Sequence, residues 1–525
     1  MIVLDLSLEN LYRRYYHCRR NKRNTVNALR FEAEQEKRLI ELREALVWRT
    51  YRPGRSVCFF ATRPKLREIF AADFRDRVVH HLLVDHLERI WEPIFIHDSY
   101  ACRKGKGVHA GVQRLQTFLR QVTANGSRPA WYLQLDIRNY FMRIDKDILF
   151  GLLAPKLKDD AARWLTRTLV YHDCTTDFVF RGNPDLIHAV PPHKSLFGTE
   201  ANKGLPIGNL NSQFFANVYL NGLDQFVKHE LKCRHYLRYC DDFILLANDP
   251  ETLRGWRARI EAWLRDNLAL ELNPKQRLAP VSNGIDFLGY IVRREYLLVR
   301  RRVVNNLKAK LRAYEARLVS EHNGVRCYRY DAPLLDALAA TLSSYLGHFK
   351  LADSFHLWQS LWRRFSFLAQ YFDFNAERWR LVRKYPVPAG LNTVRRQYRY
   401  FRWRFPDDVL LFRVGRFYEF YDIGTPEWLE CLGLKCMGWN RRGARYGFPA
   451  QYLKRNLAAL LSAAGDVILI REQENGFGGI RKRTPLCKFS PIGQEGREGP
   501  ASSIGVCRGK TVYPNVGESD DRSWP

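Results

Sequence analysis

Two carboxylates in succession, Asp241 and Asp242, interrupt an otherwise apolar stretch that runs from His235 to Ala247 (HYLRYCDDFILLA). β-type runs flank Cys240-Asp241, so the spacing predicts a tight hairpin with both acids at its tip. Adjacent acids repel each other, and exposing them between apolar strands has little structural purpose without a cation. Hard oxygen donors of this kind suit Mg²⁺, commonly held by one or two carboxylates plus substrate phosphates. A solvated Asp-Asp turn is the plainer reading of this segment taken alone.

A second segment, Trp131 to Phe141, alternates strictly. Trp131, Leu133, Leu135 and Ile137 fall on one face, and Tyr132, Gln134 and Asp136 on the other. A single aspartate at a strand end is more often a turn former or a helix cap. If this strand adjoins the hairpin, however, Asp136, Asp241 and Asp242 could together hold two ions for an in-line phosphoryl displacement.

The charge balance points the same way. The 525 residues carry 85 Lys+Arg against 55 Asp+Glu, a formal net charge of +30, with 13% aromatics available for base stacking. That field suits a polyanion, nucleic acid above all. Eleven cysteines, an odd number at irregular spacings (Cys233/Cys240 and Cys431/Cys436 are the closest pairs), make neither a disulfide framework nor a zinc site. No apolar run approaches the roughly 18 residues of a spanning helix. The N-terminal MIVLDLSLENLYRRYYHCRR does not read as a signal peptide. A cytoplasmic, unprocessed protein is expected.

Along the chain, residues 1–50 read as helical, with Leu29, Phe31, Leu39, Ile40, Leu42 and Leu46 as the apolar positions. Mixed α/β patterning runs from there to about 300, and 303–370 reads as helices. Arg378 to Arg404 holds nine Lys/Arg, no acid, and aromatics that include Trp379, Tyr385, Tyr398, Tyr400, Phe401 and Trp403. It reads as a linker that tracks phosphates. A small α/β pattern follows to about 490. The Gly/Ser/Pro-rich tail 491–525 reads as disordered, and its Gly505-Val506-Cys507-Arg508-Gly509-Lys510-Thr511 has the wrong glycine spacing for a phosphate-binding loop.

These blocks together resemble reverse transcriptases. Tyr239-Cys240-Asp241-Asp242 looks like their Y-x-D-D box and Asp136-Ile137-x-x-Tyr140-Phe141 like their first catalytic motif. Thr62 to Ile69 and Phe74 to Val79 resemble the fingers, and Gly204 to Gln213 the loop and helix beneath the templating base. Leu272-Asn273-Pro274-Lys275 and Phe287-Leu288-Gly289-Tyr290 resemble the last two palm motifs. The six fall in family order and cover residues 1 to about 365. Within the family, Ile207 where most members have Gln, the closing Ser212-Gln213, Pro191 to Phe197, and Ser344 to Phe349 are similar to the enzymes of diversity-generating retroelements. Those enzymes copy a template RNA inaccurately, mostly at adenines. Gln can hydrogen-bond near the nucleotide pair and Ile cannot, so a polar checkpoint is lost.

The resemblance implies an α+β right-hand polymerase with fingers and palm over 1–302, a helical thumb over 303–371, and a basic aromatic linker over 372–404. It further implies that Asp136 and Asp241 hold two Mg²⁺ (Mn²⁺ as the alternative ion), with Asp242 in support and the Ile137 carbonyl completing one shell. Lys65 and Arg67 would reach the dNTP triphosphate, Phe141 would exclude a 2′-hydroxyl, and Ile207 would line the nucleotide pocket. Lys275 would protonate pyrophosphate, and Phe287, Leu288, Gly289 and Tyr290 would hold the primer end. Template RNA, cDNA–RNA duplex, dNTPs and a small basic accessory protein are the implied partners.

Residues 405–490 read as one module, of which about 405–487 resembles the N-terminal mismatch-recognition domain of MutS. Leu410 to Tyr421 (LLFRVGRFYEFY), Gly447-Phe448-Pro449 with a following helix, and a strand ending at Glu472-Gln473 carry the likeness. In that family a Phe-x-Glu pair contacts the mispair, and here the pair is Phe417 and Glu419. Arg416 replaces the usual Asp, and the clamp and ATPase of MutS are absent. Two other functions fit the same residues less fully, an antiphage-defence or retron-like reverse transcriptase and a non-catalytic RNA-binding module.

Overall fold

The alternation along Trp131–Asp136 does make a strand, and its partners come from far along the chain. The computed structural model describes residues 2–20, 25–62, 65–384, 390–422, 433–434, 436–440, 443–473 and 482–492. Cys431, Tyr385 and the tail from residue 493 therefore lie outside the described residues. The chain divides into two units, Met1–Tyr296 and Leu297–Pro525. Among the described residues, no helix is long and apolar enough to cross a membrane.

In the first unit, β1 (Ser56–Ala61) and β2 (Arg67–Ala71) pair antiparallel, and Phe178–Phe180 joins β1 in parallel. A second sheet holds β3 (Trp131–Asp136), β4 (His235–Tyr239), β5 (Asp242–Ala247) and β6 (Arg277–Pro280), in the order β4-β5-β3-β6. All three pairings are antiparallel. A tight hairpin, β7 (Ile285–Phe287) with β8 (Tyr290–Val292), follows.

Helices enclose these sheets. In α1 (Leu8–Arg19), Ser7 Oγ caps the N-terminus by accepting from Asn10 N–H at 3.2 Å. α2 (Phe74–Trp91) and α3 (Leu210–Tyr219) bury Val78, Leu82, Phe215 and Tyr219 in the same core. In α4 (Pro250–Leu268), the Asp249 carboxylate accepts from Glu251 and Thr252 N–H, and Leu253, Ile260, Leu264 and Leu268 form one buried stripe. Near the N-terminus the expected helical segment is two helices, Val26–Glu32 and Gln35–Val47. Phe31, Leu39, Leu42 and Leu46 are buried, whereas Leu29 and Ile40 are exposed, because each of those two lies off the buried stripe of its own helix.

The second unit departs from the sequence reading in two places. Residues 303–370 were expected to be helical throughout, and α5 (Arg301–Leu318), α6 (Ala332–Phe349) and α7 (Phe355–Arg364) are helices. Between α5 and α6, however, runs a hairpin of β9 (Val319–His322) and β10 (Val325–Arg329). Its turn is Asn323-Gly324, with φ of +49° and +74°, the backbone shape that an Asn-Gly pair favours. The expected linker is folded as well. Phe372–Asn375 pairs with Arg380–Arg383, and Val394–Arg404 is a helix, α8, that buries Gln397, Tyr398 and Phe401. Tyr398 and Phe401 fall at i and i+3 and supply packing, while the arginines of the helix supply charge.

The remaining elements are β11 (Val409–Val414), β12 (Phe417–Asp422), β13 (Cys436–Asn440), β14 (Gly443–Pro449), α9 (Leu453–Ala464), β15 (Val467–Glu472) and β16 (Arg483–Pro491). With β9 and β10 they make one eight-stranded sheet, ordered β9-β10-β16-β15-β11-β12-β14-β13. The segment expected as thumb thus contributes two strands to the sheet of the C-terminal module, through five β10–β16 residue pairs from Val325↔Pro491 to Arg329↔Cys487. On one face, Phe412, Ile468 and Ile470 share a core with Phe401 and with Leu311, Leu342 and Trp358 of α5–α7. On the other face, Leu411, Phe420 and Leu469 meet Leu460 of α9. Lys488 Nζ lies 2.7 Å from Asp408 and 2.8 Å from Asp466, which pairs the charge that this packing buries.

Phe401 is fully buried in the shared core. Phe401→Ala should therefore lower stability by about 3–5 kcal/mol. Urea unfolding of the full chain should show α5–α7 and the C-terminal sheet melting together in both forms, and separate transitions for the two would contradict a common core.

Candidate active site

The hairpin tip is where the sequence places it. Tyr239 pairs with Asp242, leaving Cys240 and Asp241 to turn the chain. Cys240 takes φ +58°, a left-handed conformation that costs a residue with a side chain on the order of 1–3 kcal/mol. A buried network beneath the turn holds it there. Arg238 donates from Nη1 to the Cys240 carbonyl at 2.9 Å, from Nε to Asp224 Oδ1 at 2.8 Å and from Nη2 to Asp224 Oδ2 at 2.6 Å. Tyr236 Oη donates to Asp224 Oδ1 at 2.7 Å, and both members of the ion pair are fully buried.

Asp136 ends β3 directly opposite Asp242 on β5. Its Oδ2 accepts from Asn273 Nδ2 at 2.8 Å, and its carbonyl accepts from Asn273 N–H at 2.7 Å. Asn273 is itself braced, since its Oδ1 accepts from Lys275 N–H at 3.1 Å. Asp242 is held from the same face, its two oxygens accepting from Gln134 Nε2 at 3.1 and 3.3 Å.

Burial raises the pKa of Asp136, opposed by the Asn273 hydrogen bond and by the charge of Lys65. Burial also raises Asp241, and the charge of Asp136 pushes it further up, while Arg67 opposes. Asp136 and Asp241 thus feel each other, and the two cations expected from the β1–β2 hairpin reach them electrostatically. Half-buried, mutually repelling carboxylates fit a hard divalent cation, whose charge removes that repulsion. Among the described residues, no three acidic, His or Cys side chains cluster closely enough to form a preformed three-ligand metal set.

Other expected residues divide into those at the site and those in its walls. Ile137 is buried, with its backbone bridged to Leu272. Phe141 and Ile207 are half-buried and pack on one cluster of Cys58, Phe70, Met142 and Leu196. The Ile207 carbonyl accepts from Phe70 N–H at 3.1 Å, which fixes the loop to β2. Gly208 follows at φ +119°, where a Cβ would lie 2.8 Å from Ile69 Cγ2, so that approach needs glycine. The side chain of Lys275 is exposed, and what it does for Asp136 runs through its backbone. Phe287 and Tyr290 are fully buried in their hairpin, and Leu288 (φ +50°) and Gly289 (φ +95°) form its tip. Phe287 and Tyr290 hold the tip from below.

Sequence reasoning missed Asn273, Gln134, the Arg238–Asp224 pair and Glu68. Gln134 had a signal, being the polar neighbour of Asp136 on one strand face. Glu68 had none. It is buried in β2 and accepts from Ser195 Oγ at 2.5 Å and Leu196 N–H at 2.8 Å, pinning the 191–197 segment beside Arg67.

In the C-terminal module, Phe417 opens β12 and is 37% exposed. Glu419 faces inward, where it is buried and accepts a hydrogen bond from Tyr421 Oη. The expected pair is therefore split, with the ring at the surface and the carboxylate engaged inside.

Residues 62–292 match the family model described as reverse transcriptase (RNA-dependent DNA polymerase), and residues 392–484 match MutS domain I. The second match takes in α8, consistent with its packing. Protein YkfC of Escherichia coli is 25% identical over 338 residues, covering 56% of this chain and 82% of its own. The group II intron-encoded protein LtrA of Lactococcus lactis is 25% identical over 219 residues, 41% of this chain and 32% of that protein. A telomerase from Candida albicans in complex with a fragment of telomeric RNA superposes with a TM-score of 0.36 at 11% identity, over 68% of this chain and 59% of its own. Residues 62–292 are a reverse transcriptase domain, RNA-directed DNA polymerase in class, and the chain joins it to a MutS domain I.

Proposed function

We propose that this chain is the error-prone polymerase of a diversity-generating retroelement, copying a template RNA into mutagenised cDNA in the cytoplasm. The observation that carries the polymerase reading is the placement of Asp136 at the end of β3 directly opposite Asp242, with Asp241 in the adjoining turn. Asp136 and Asp241, with Asp242 and the Ile137 carbonyl, would hold two Mg²⁺ (or Mn²⁺), which when bound activate the primer 3′-hydroxyl and neutralise charge on the leaving pyrophosphate. Asn273 holds the Asp136 carboxylate in place, and Gln134 does the same for Asp242. Lys65 and Arg67 bind the triphosphate where charge develops. Phe141 excludes a ribose 2′-hydroxyl, Lys275 is the candidate proton donor to pyrophosphate, and the Leu288-Gly289 tip seats the primer.

Ile207 supports the error-prone reading, since it presents an apolar side chain where a polar one would test the base pair. The segment that Glu68 pins, with Ser212-Gln213, carries the rest of the likeness to that subfamily. A small basic accessory protein would complete the system. In the C-terminal module, Phe417 is the wedge that meets mismatched cDNA–RNA duplex, with Glu419 as its internal support. LtrA, an intron-encoded relative, supplies a second reading, in which the chain copies an RNA of that kind accurately.

Primer extension by the purified protein on an adenine-containing RNA, with Mg²⁺ and dNTPs, separates these readings. Errors concentrated opposite adenine are expected, and accurate copying would move the assignment to the second reading. Asp241→Asn should lower the rate by about 1,000-fold or more. Asn273→Ala, which frees the ligand without removing it, should lower the rate about 10–100-fold. Ile207→Gln should cut misincorporation opposite adenine about 10-fold, with the rate of correct incorporation retained.

The raised carboxylates predict a pH signature. A folded-state pKa above the unfolded value means that metal-free protein loses stability as pH rises out of the ordinary carboxylate range. Added Mg²⁺ should therefore raise Tm at neutral pH, should do so less under acid conditions, and should not do so in Asp241→Asn.

Gel-shift affinity for mismatched over matched duplex should fall about 10-fold in Phe417→Ala. Equal binding of the two duplexes by the unaltered chain would remove the mismatch role.

A further inference from the structure

Helix α8 has two unlike faces. Inward, Gln397 is fully buried, its Nε2 donating to the Leu391 carbonyl at 3.1 Å and its Oε1 accepting from Arg483 N–H at 2.9 Å. Tyr398 packs edge-on to Phe412 and Tyr421, and Phe401 fills the shared core. Two of the helix's arginines are also structural. Arg402 donates to the carbonyls of Pro406 and Asp408, and Arg404 lies 3.2 Å from Asp373.

The outward face is different. Arg395, Arg399 and Trp403 recur at i, i+4 and i+8, a rise of about 6 Å per step along one stripe. Arg396 and Tyr400 flank it. Arg395, Arg396 and Arg399 are exposed, and Trp403 is 66% exposed, with the half-buried Tyr400 ring 6.2 Å away.

We infer that this face is a binding site for single-stranded nucleic acid. The arginines meet the phosphates and Trp403 stacks on a base. The exposed indole decides between strand types. A paired base has both π-faces covered by its neighbours, whereas an unpaired base offers one to an aromatic side chain. Exposed arginines beside it supply sequence-independent attraction to the backbone. The ligand class is thus unpaired RNA or DNA, distinct from the duplex expected at Phe417. The assignment does not depend on the polymerase reading, because binding is measured without turnover.

The test uses the full-length chain and two labelled probes, a 20-nucleotide oligouridine and an RNA–DNA hybrid of equal length, with fluorescence anisotropy read across a salt series. Trp403→Ala should weaken oligouridine binding about 10-fold and leave hybrid affinity within about two-fold, and Trp403→Phe, which keeps a ring, should restore most of the loss. Arg395→Gln with Arg399→Gln should reduce the slope of log affinity against log salt by about 1.4 for the single strand, about 0.7 per phosphate contact. The Lys pair at the same positions should restore the slope. Unchanged single-strand affinity in both sets, or equal losses on both probes, would overturn the assignment. Binding is read without dNTPs, which keeps failure of this site separate from failure of catalysis.

Discussion

The buried Arg238–Asp224 ion pair is the constraint on which the catalytic geometry depends. A guanidinium and a carboxylate, both withdrawn from water, are stable only while each satisfies the other and the remaining donors find acceptors. Asp224 takes two bonds from Arg238 and one from Tyr236, and Arg238 spends a further donor on the Cys240 carbonyl. That last bond ties the turn to the interior. Removing one partner would strand the other charge, at on the order of 3–5 kcal/mol, and would also free a turn that carries backbone strain at Cys240. The position of Asp241 is therefore set by a fully buried network that reaches from the turn down to Asp224.

The same logic of shared support governs the second unit. Helices α5–α7 and the C-terminal module could have been two bodies on a string. Instead β10 pairs with β16, and one apolar cluster runs from α5 through α8 to β15. A sheet edge left open is a liability in any protein, and here the β9–β10 hairpin covers the β16 edge of the module. Under the proposed role, duplex engaged at Phe417 would act on α5–α7 through this shared core.

What the sequence made legible follows from the range of the interactions involved. The β3 strand and the Cys240-Asp241 turn rest on alternation and on neighbouring residues, and both are present. The Asn323-Gly324 hairpin was equally local and was passed over, because the leucine- and arginine-rich helices on either side dominate the pattern. Helix α8 was misread for a different reason. Its composition is that of a linker, and only the spacing of Gln397, Tyr398 and Phe401 separates a packed face from a solvated one. Glu68–Ser195 and Asn273–Asp136 span 127 and 137 residues. No pattern in a single sequence reports such pairs, since each residue is ordinary in its own neighbourhood.

The division between Phe417 and Glu419 bears on how the module can read a duplex. A carboxylate near DNA is repelled by phosphate and earns its place only when aimed at a base edge, yet Glu419 points inward and accepts from Tyr421, whose ring packs on Tyr398 of α8. Turning it outward would leave the Tyr421 hydroxyl without that acceptor and loosen the contact that seats the helix. Phe417 stays at the surface, and a ring alone senses how readily a base step unstacks and bends, whatever the bases are. Under the proposed duplex-binding role, a module built this way would respond to the deformability of the duplex rather than to the identity of a mispair. For the error-prone polymerase proposed above, which would create many kinds of mismatch, sensitivity to the shared physical defect would be the more useful property.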